Sequence, residues 1–532
     1  MAMFVRKYPK AFDNTQYGGV APMIVSSDQT DKLGDRAPDS ATMLPYWTKV
    51  SDIIDGADCV KSKAEYLPRF PNELTADYEF RLKTAIFTNI YGDIIEDLSS
   101  KPFEEEVSFS AEQTVPEQYV QFSEDVDGSG NNLTVFASDV FYYGIANAVH
   151  WIFVDYPDVA TDPNRPRSRL EEQAGGIKPY WSHVLGKNVL EVRWTKIGGK
   201  EEITYMRVLE YEGTLEHVRV MAKDASGARW ELYEKRLKKN SSQAEYVLIG
   251  SGVFTIGIIP LVPFVTGRRK GNAYIYKPPL KDAVEMQLEL YDAESSLKFA
   301  KKLVAFPMLT GNGVNPMKGP DGVVLAVGVG PGRVLFAPPD GNGGHGEWAF
   351  IEPAATSLTF LSGDIEKMKN TLRELGKQPL TAQSGNLTVI TTAVAAGKAR
   401  SAVGAWGLSL KNALENAFKI TGMWMNNDFE PELKIYDEYD DFSDSGADLA
   451  TLQAARTARD ISQLTYWEEL KRRRVLSAEF DPETETQRIL DETPSDPVDG
   501  GEGAIDDPAA DGGKPAVVPV KVASSNNPGP DI

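Results

Sequence analysis

Three long helical segments in the C-terminal half of the sequence constrain the fold more than any other feature. A proline pair at 278–279 precedes the first, LKDAVEMQLELYDAESSLKFAKKLVAF, which predicts a helix of about 27 residues. The second extends from about Ala355 to Leu375, and the third from about Thr392 to Met425. Apolar residues at helical spacing mark the expected packing faces: Leu280, Val284, Leu288, Tyr291, Leu297 and Leu303; Leu358, Leu361, Ile365, Met368 and Leu372; Ala399, Val403, Trp406, Leu410, Ala413 and Ala417.

The N-terminal half mixes helices and strands. The segment YEFRLKTAIFTNIYGDIIEDLSSKPF predicts one amphipathic helix, and a second helix is predicted from about Leu133 to Ala148. VHWIFVDYP follows as a buried strand, and short alternating runs with glycine-containing turns predict antiparallel β-structure from Lys178 to Phe264. The fold class is therefore α+β. The expected core contacts of the two helices are Phe80, Phe87, Ile90, Ile94 and Leu98, and Val135, Val140, Tyr143 and Ile145.

The remaining segments are less regular. Residues 1–45 lack periodicity and predict an extended arm. Eleven glycines between Pro307 and Pro353 predict a compact β element or a loop-rich insertion, and Gly397, Gly404 and Gly407 predict a bend in the third long helix. Residues 448–491 are helical again, with capping-box spacing at Thr465 and Glu468 and an N-cap pattern at Asp481-Pro482. The acidic, proline- and glycine-rich residues 492–532 are predicted to be disordered.

Composition and charge limit the possible functions. A net charge of −21 argues against a surface that coats nucleic acid generally, because phosphate binding needs basic groups, so any DNA contact must be local. The single cysteine, Cys59, excludes an internal disulfide framework. The sequence MAMFVRKYPKAF lacks a signal-peptide core, and no run of 18 apolar residues occurs, so we expect a soluble protein with no membrane partner, assembled in the cytoplasm.

Catalytic motifs are absent from the sequence. AVAAGKAR lacks the first glycine and the hydroxyl of a P-loop, VGVGPG has no βαβ context, and G-x-S-x-G does not occur. None of the four histidines, His150, His183, His217 and His345, has a second His or Cys at zinc-finger spacing. We therefore expect no enzyme, no metal and no cofactor. Carboxylates are abundant, so a glycan hydrolase that uses a carboxylate pair stays open as an alternative.

Several segments, taken in order, resemble tailed-bacteriophage portal proteins. YWTKVSDIIDGADCVKSKAEYLPRFPNE and the following LSSKPF look like the opening of one portal group, and IIPLVPFV with YKPPLKDAVEMQLELYDAESSLKFA looks like its entry into the stem. DISQLTYWEELKRRRVLSAEFDPETETQRI is similar to the crown pattern, which Asp481, Glu483, Glu485, Arg488 and Ile489 fill. The resemblance covers roughly residues 46–492.

The resemblance implies a division of the chain. Residues 46–277 correspond to an α+β wing, 278–304 to a stem helix, 305–353 to a glycine-rich β clip, 354–376 to a second stem helix, 377–395 to a tunnel loop, 396–447 to a kinked wing helix and connector, and 448–491 to a helical crown. It also implies a homo-oligomeric ring, usually of twelve copies, at one capsid vertex of the virion, through which double-stranded DNA enters and leaves. The implied partners are the terminase large subunit, the major capsid or scaffold protein and a head-tail adaptor protein.

The acidic charge and the loop fit this reading. A lumen lined with carboxylates repels phosphates, so DNA slides without being trapped by counterion release. The resemblance places a DNA-facing tunnel loop at Gln383, Ser384, Gly385, Asn386, Thr388, Thr391 and Thr392, with Lys398 and Arg400 at its root. Its hydroxyl and amide groups offer only neutral hydrogen bonds. The alternatives are an exposed connector at 383–392, solvated Lys398 and Arg400, and another ring-forming virion connector or tail component.

Overall fold

The computed structural model describes residues 24–26, 29–157, 177–225, 227–238, 244–305, 308–314, 320–323, 346–351, 356–376, 389–437, 446–472, 475–477 and 480–492. The chain forms two compact units, Met1–Asp441 and Phe442–Ile532. The α-helices are α1 Pro38–Asp55, α2 Ala57–Ser62, α3 Thr75–Thr84, α4 Ile90–Ser100, α5 Glu117–Glu124, α6 Leu133–Asn147, α7 Lys281–Ala305, α8 Thr356–Leu375, α9 Val389–Met425, α10 Gly446–Thr457, α11 Gln463–Arg472 and α12 Pro482–Glu492.

The strands of the first unit are mostly antiparallel neighbours in sequence. They are β1 Ser108–Phe109, β2 Val149–Asp155, β3 Tyr180–Leu185, β4 Val189–Ile197, β5 Lys200–Glu212, β6 Leu215–Asp224, β7 Gly227–Leu237, β8 Ala244–Phe254, β9 Leu261–Val265, β10 Arg268–Arg269, β11 Tyr276–Lys277, β12 Met308–Asn312, β13 Glu347–Ile351 and β14 Leu433–Lys434. β4 to β8 form a five-stranded meander, β2 lies between β3 and β9 in a second sheet, and three two-stranded pairs complete the set described. The α+β class is confirmed.

The main core lies on the three-stranded sheet, where β2 is buried as predicted. Trp181 of β3 is surrounded by the rings of Phe122, Phe136 and Phe418 at centroid distances of 5.4, 5.5 and 4.9 Å. Its indole N–H donates to Thr421 Oγ1 at 2.8 Å, which satisfies a polar atom that packing has removed from water. Helices α6 and α9 therefore meet the sheet through one aromatic cluster.

A second, smaller core lies on the five-stranded sheet. Its buried members are Val25, Leu33, Leu190, Val218, Val220, Tyr233 and Tyr246. The carboxylate of Glu231, itself buried, accepts hydrogen bonds from the backbone N–H groups of Ile24 at 2.6 Å and Val25 at 3.2 Å. The stretch after Ile24 thus packs on the sheet, and α1 begins at Pro38, so residues 24–26 and 29–45 are not the unpacked arm that was predicted.

The single helix predicted from the YEFRLKTAIF segment is wrong, because the chain forms α3 and α4 with a break between them. Ala85 leaves the helical conformation, and the side chain of Asn89 caps α4 by accepting the N–H of Gly92 at 2.9 Å. Backbone groups in the break bond to side chains of helix α7 instead. Phe80 is consequently about half exposed, whereas Ile90, Ile94 and Leu98 are buried as predicted.

The other helices agree largely with the sequence. α6 and the three long helices α7, α8 and α9 occur where predicted, and α9 begins three residues earlier, at Val389. Val135 and Leu361 were predicted to pack but are exposed: Val135 lies on the outward side of α6, whereas Leu361 shares a face of α8 with the buried Ile365 and Leu372 but lies nearer the start of the helix, where no described residue covers it. In the second unit, Asp481 caps α12 as predicted, whereas Ser462 and not Thr465 caps α11, since Ser462 Oγ accepts the Thr465 N–H at 3.1 Å.

Candidate functional site

The base of helix α7 is attached to the α3–α4 break by a stripe of side chains at four-residue intervals. Gln287 Oε1 accepts the N–H of Tyr91 at 2.9 Å, and Gln287 Nε2 donates to Thr88 O at 2.8 Å. Tyr291, one turn further, packs edge-on against Phe87 at 5.8 Å. These directional contacts fix both the axial position and the rotation of α7 on the body of the protein.

A buried ion pair strengthens the same junction. The Arg81 guanidinium is fully buried and bonds both oxygens of Glu73 at 2.9 Å, and it stacks on the ring of Phe70 at 4.0 Å. Its Nη1 lies 3.6 Å from Asp292 of α7. The hydrogen bonds from Arg81 lower the pKa of Glu73, whereas burial raises the pKa of Asp292. A two-point, charge-assisted contact of this kind holds its partners in one geometry.

Helices α7 and α8 pack together, and a pair of strands lies at their far ends. Lys369 of α8 contacts Glu294 of α7 at 3.2 Å, and Ile365 and Leu372 are buried. β12 follows α7 and β13 precedes α8, and they pair in antiparallel register from Met308 opposite Ile351 to Asn312 opposite Glu347. The predicted β element therefore exists at the two ends of the 307–353 segment; the runs GVVLAVG and GRVLFAPP lie almost entirely outside the described residues.

Helix α8 carries apolar groups that the described part of the chain leaves uncovered. Phe360 is 73% exposed, and its neighbour Leu361 is 41% exposed. A Cβ placed on Gly363 would meet no atom within 4 Å. Single exposed apolar residues are ordinary on protein surfaces, but adjacent large ones on one helix are typical of a surface that another molecule covers.

The predicted tunnel-loop residues have two different outcomes. Gln383, Ser384, Gly385, Asn386 and Thr388 lie outside the described residues. Thr391, Thr392, Lys398 and Arg400 lie in the first three turns or so of helix α9, where the structure describes the backbone. Thr391 and Thr392 are thus in a helix and not in the loop predicted to extend to residue 395.

Two clusters that the motif search did not join have structural roles. His150 and His183 lie on neighbouring strands, with Nε2 and Nδ1 3.0 Å apart, and burial lowers the pKa of both, that of His183 to about 4. The loop DVDGSGN at 125–131 has a calcium-type pattern, yet the ammonium of Lys178 already pairs with Asp125 at 2.9 Å. Within the described ranges, no group of three or more His, Cys, Asp or Glu side chains is placed to hold a metal ion.

None of the helices in the described part of the chain is both long and apolar enough to cross a membrane. The described residues define a mixed α+β protein in which helices α7 and α8 pack on each other and, at the start of α7, on the body. The far end of that pair is closed by two strands, and helix α9 follows the pair and packs back into the body through Leu410, Leu414 and Phe418.

Comparison with known proteins gives one family match and weak structural matches. Residues 279–425 match the model of a family described as a domain of unknown function (DUF4055), a region that contains α7, α8 and α9. The chain is similar to one from the neck of a native GTA particle computed with C12 symmetry, at 11% identity, 75% coverage of this chain, 88% of that chain and a TM-score of 0.32. It is also similar to one from the neck of an empty GTA particle computed with C6 symmetry, at 11% identity, 80% and 96% coverage and a TM-score of 0.35. No curated protein matches the sequence.

Proposed function

We propose that this protein is the subunit of a portal ring, a homo-oligomer at one vertex of a phage capsid through which double-stranded DNA passes during packaging and ejection. The observation that carries the proposal is the order of elements. An α+β body leads into α7, then the β12–β13 pair, then α8 and the 37-residue helix α9. This order agrees with wing, stem, clip, stem and long wing helix, as implied by the resemblance of the quoted segments.

Two further properties support the proposal. The uncovered first turns of α8, with Phe360 and Leu361, offer an apolar contact for a neighbouring copy. The excess of 77 acidic over 56 basic residues suits a passage that must not hold DNA by its phosphates. In this proposal the chain performs no chemistry of its own; the terminase supplies the work, and capsid or scaffold and adaptor proteins attach to the ring.

Mass photometry and negative-stain microscopy of the purified protein test the ring. Twelve copies of a 58.5 kDa chain should give particles of about 700 kDa with a central opening. A chain that stays at 58.5 kDa at every concentration would overturn the proposal. Rings that fail to support DNA packaging would favour another ring-forming virion connector.

A second experiment tests the loop. Because α9 begins at Val389, deletion of residues 384–388 spares the helix, and replacement of the same residues by a Gly-Ser segment of equal length is the control. The deletion should leave the ring intact and reduce the yield of packaged DNA, while the replacement restores it. Loss of the ring on deletion would contradict a loop that faces the channel.

A further inference from the structure

A short hairpin at the base of helix α7 presents positive charge on its outer face. β10 and β11 pair with Arg268 opposite Lys277 and Arg269 opposite Tyr276. Because side chains alternate along a strand, the two pairs face opposite sides. Tyr276 is buried and Arg269 stacks on Trp194 at 3.8 Å, so this pair faces the body, and Arg268 and Lys277 are both exposed on the other side.

The charges on this outer face have no counter-charge among the described residues. Arg268, Lys277 and the nearby exposed Lys270 form no ion pair with a described carboxylate, although like charges directly opposite each other destabilise a strand pair. In the adjacent five-stranded sheet, by contrast, arginines form ion pairs: Arg207 pairs with Glu191 at 2.8 Å and Arg219 with Glu210 at 2.6 Å. In a chain with this excess of acidic residues, a basic cluster without ion pairs is suited to bind an anionic group of another molecule.

The hairpin is held in place by contacts with the body. Glu201 at the start of β5 bonds Arg269 at 3.0 Å, which attaches the inner side of the hairpin to the β4–β5 turn. The N–H groups of Thr266 and Gly267 donate to Ala148 O at 3.1 and 3.0 Å, so the hairpin is fixed to the end of α6. We call the surface formed by Arg268, Lys270 and Lys277 the basic hairpin.

We propose that the basic hairpin binds the phosphate backbone of double-stranded DNA. The core of a protein–protein interface is depleted in lysine and enriched in aromatic groups, whereas two of the three side chains of this surface are lysines and none is aromatic. Gly271 in the turn between β10 and β11 leaves the backbone open to close approach. Such contacts go to phosphates and carry no sequence information, so the binding is local and independent of sequence.

This site is distinct from the proposed channel segment at 383–400 and does not require a ring. It is therefore tested on the full chain in any oligomeric state, by fluorescence anisotropy of a labelled 30-base-pair duplex titrated over a series of NaCl concentrations. Mass photometry of the same samples reports the ring separately, so the two proposals fail independently.

The test variant combines Arg268→Ser, Lys270→Ser and Lys277→Ser. Removal of three phosphate contacts should lower the slope of log affinity against log salt by roughly 2.7, at about 0.9 per contact, and weaken binding at low salt by at least about tenfold. The matched control combines Lys32→Ser, Lys83→Ser and Lys367→Ser, three exposed lysines dispersed over the same unit. It changes the net charge equally and should lower the slope by less than about 1.

Three outcomes would overturn the proposal, provided that circular dichroism shows both variants folded. The first is an unchanged slope in the test variant, and the second is an equal loss in the control, which would show dependence on net charge alone. The third is binding of polyglutamate, but not of duplex, that requires the same three residues, because an acidic protein would then be the partner.

Discussion

The base of helix α7 and the first turns of helix α8 belong to one helical pair but are built in opposite ways. At the base, Gln287 and Arg81 make directional bonds in buried surroundings, and Tyr291 is buried among rings. On α8, Phe360 and Leu361 extend into solvent. The difference teaches that the chain itself satisfies the polar and apolar groups at the base, whereas it leaves two large apolar side chains of α8 uncovered by described residues.

The largest loss of stability is expected when the buried charge of Arg81 at the base of α7 is removed. Arg81→Met leaves the Glu73 carboxylate buried without its partner and should lower the free energy of unfolding by about 3–5 kcal/mol. Urea unfolding followed by tryptophan fluorescence measures the loss. The double variant Arg81→Met, Glu73→Leu should recover much of it, and a loss below about 1 kcal/mol in the single variant would show that the junction does not depend on this pair.

Low pH should lower the stability of the body, where His150 and His183 are buried, and should not alter the exposed apolar side chains of α8, Phe360 and Leu361. Burial depresses the folded pKa of His183 to about 4, below its unfolded value of about 6.5, so the unfolded state binds more protons between these values. Stability is then highest above pH 6.5 and falls by up to roughly 3 kcal/mol as the pH drops to 4. Unfolding curves at several pH values measure this slope, and the double variant His150→Gln, His183→Gln should flatten it. An identical slope in both proteins would contradict the assignment.

The amide of Gln287 gives a smaller and more local test. Gln287→Met keeps the volume but leaves Tyr91 N–H without a partner and removes one of the two hydrogen bonds that Thr88 C=O accepts, the other coming from Ile90 N–H, so we expect a loss of about 2 kcal/mol in urea unfolding. Glu289→Gln, on the exposed side of the same helix, is the control and should change stability by less than about 0.5 kcal/mol. Equal losses of unfolding free energy in the two variants would show that the buried side of α7, with Gln287, contributes no more to stability than the exposed side, with Glu289.

The smallest effect on stability is expected on α8. Phe360→Ser with Leu361→Ser should change the free energy of unfolding by less than about 0.5 kcal/mol, because these side chains have little to lose in the isolated chain. Self-association measured by mass photometry should nevertheless fall sharply. Leu408→Ser, on a residue of α9 that is 65% exposed, is the control and should leave association unchanged. Undiminished association in the double variant would mean that this side of α8 is not the contact.

Periodicity predicted the elements whose environment is simple. The three long helices and strand β2 follow directly from their apolar patterns, and Asp481-Pro482 predicted the start of α12. The break at 85–89 could not be predicted, because its cause is a set of bonds to Gln287 and Ser295, about 200 positions away. Local pattern contains no information on such contacts.

The candidate sites were less predictable for the same reason. The contact of His150 with His183 and the opposition of Arg268 to Lys277 both depend on strand register, which a single sequence leaves open. The resemblance placed the tunnel loop at 377–395, and the helix that begins at Val389 shortens it. Its role in a channel stays a prediction.

The hydrogen bonds of Gln287 and Ser295 fix both the rotation and the axial position of α7 on the body. Deletion of a single residue after Ser295 would rotate the rest of α7 by about 100° and shift it by about 1.5 Å toward the body. The contacts of Gln287 and Ser295 with the α3–α4 break would stay unchanged. Changes in the length of this helix should therefore occur in steps of whole turns, and chimeras between related chains should be joined in register with Ser295.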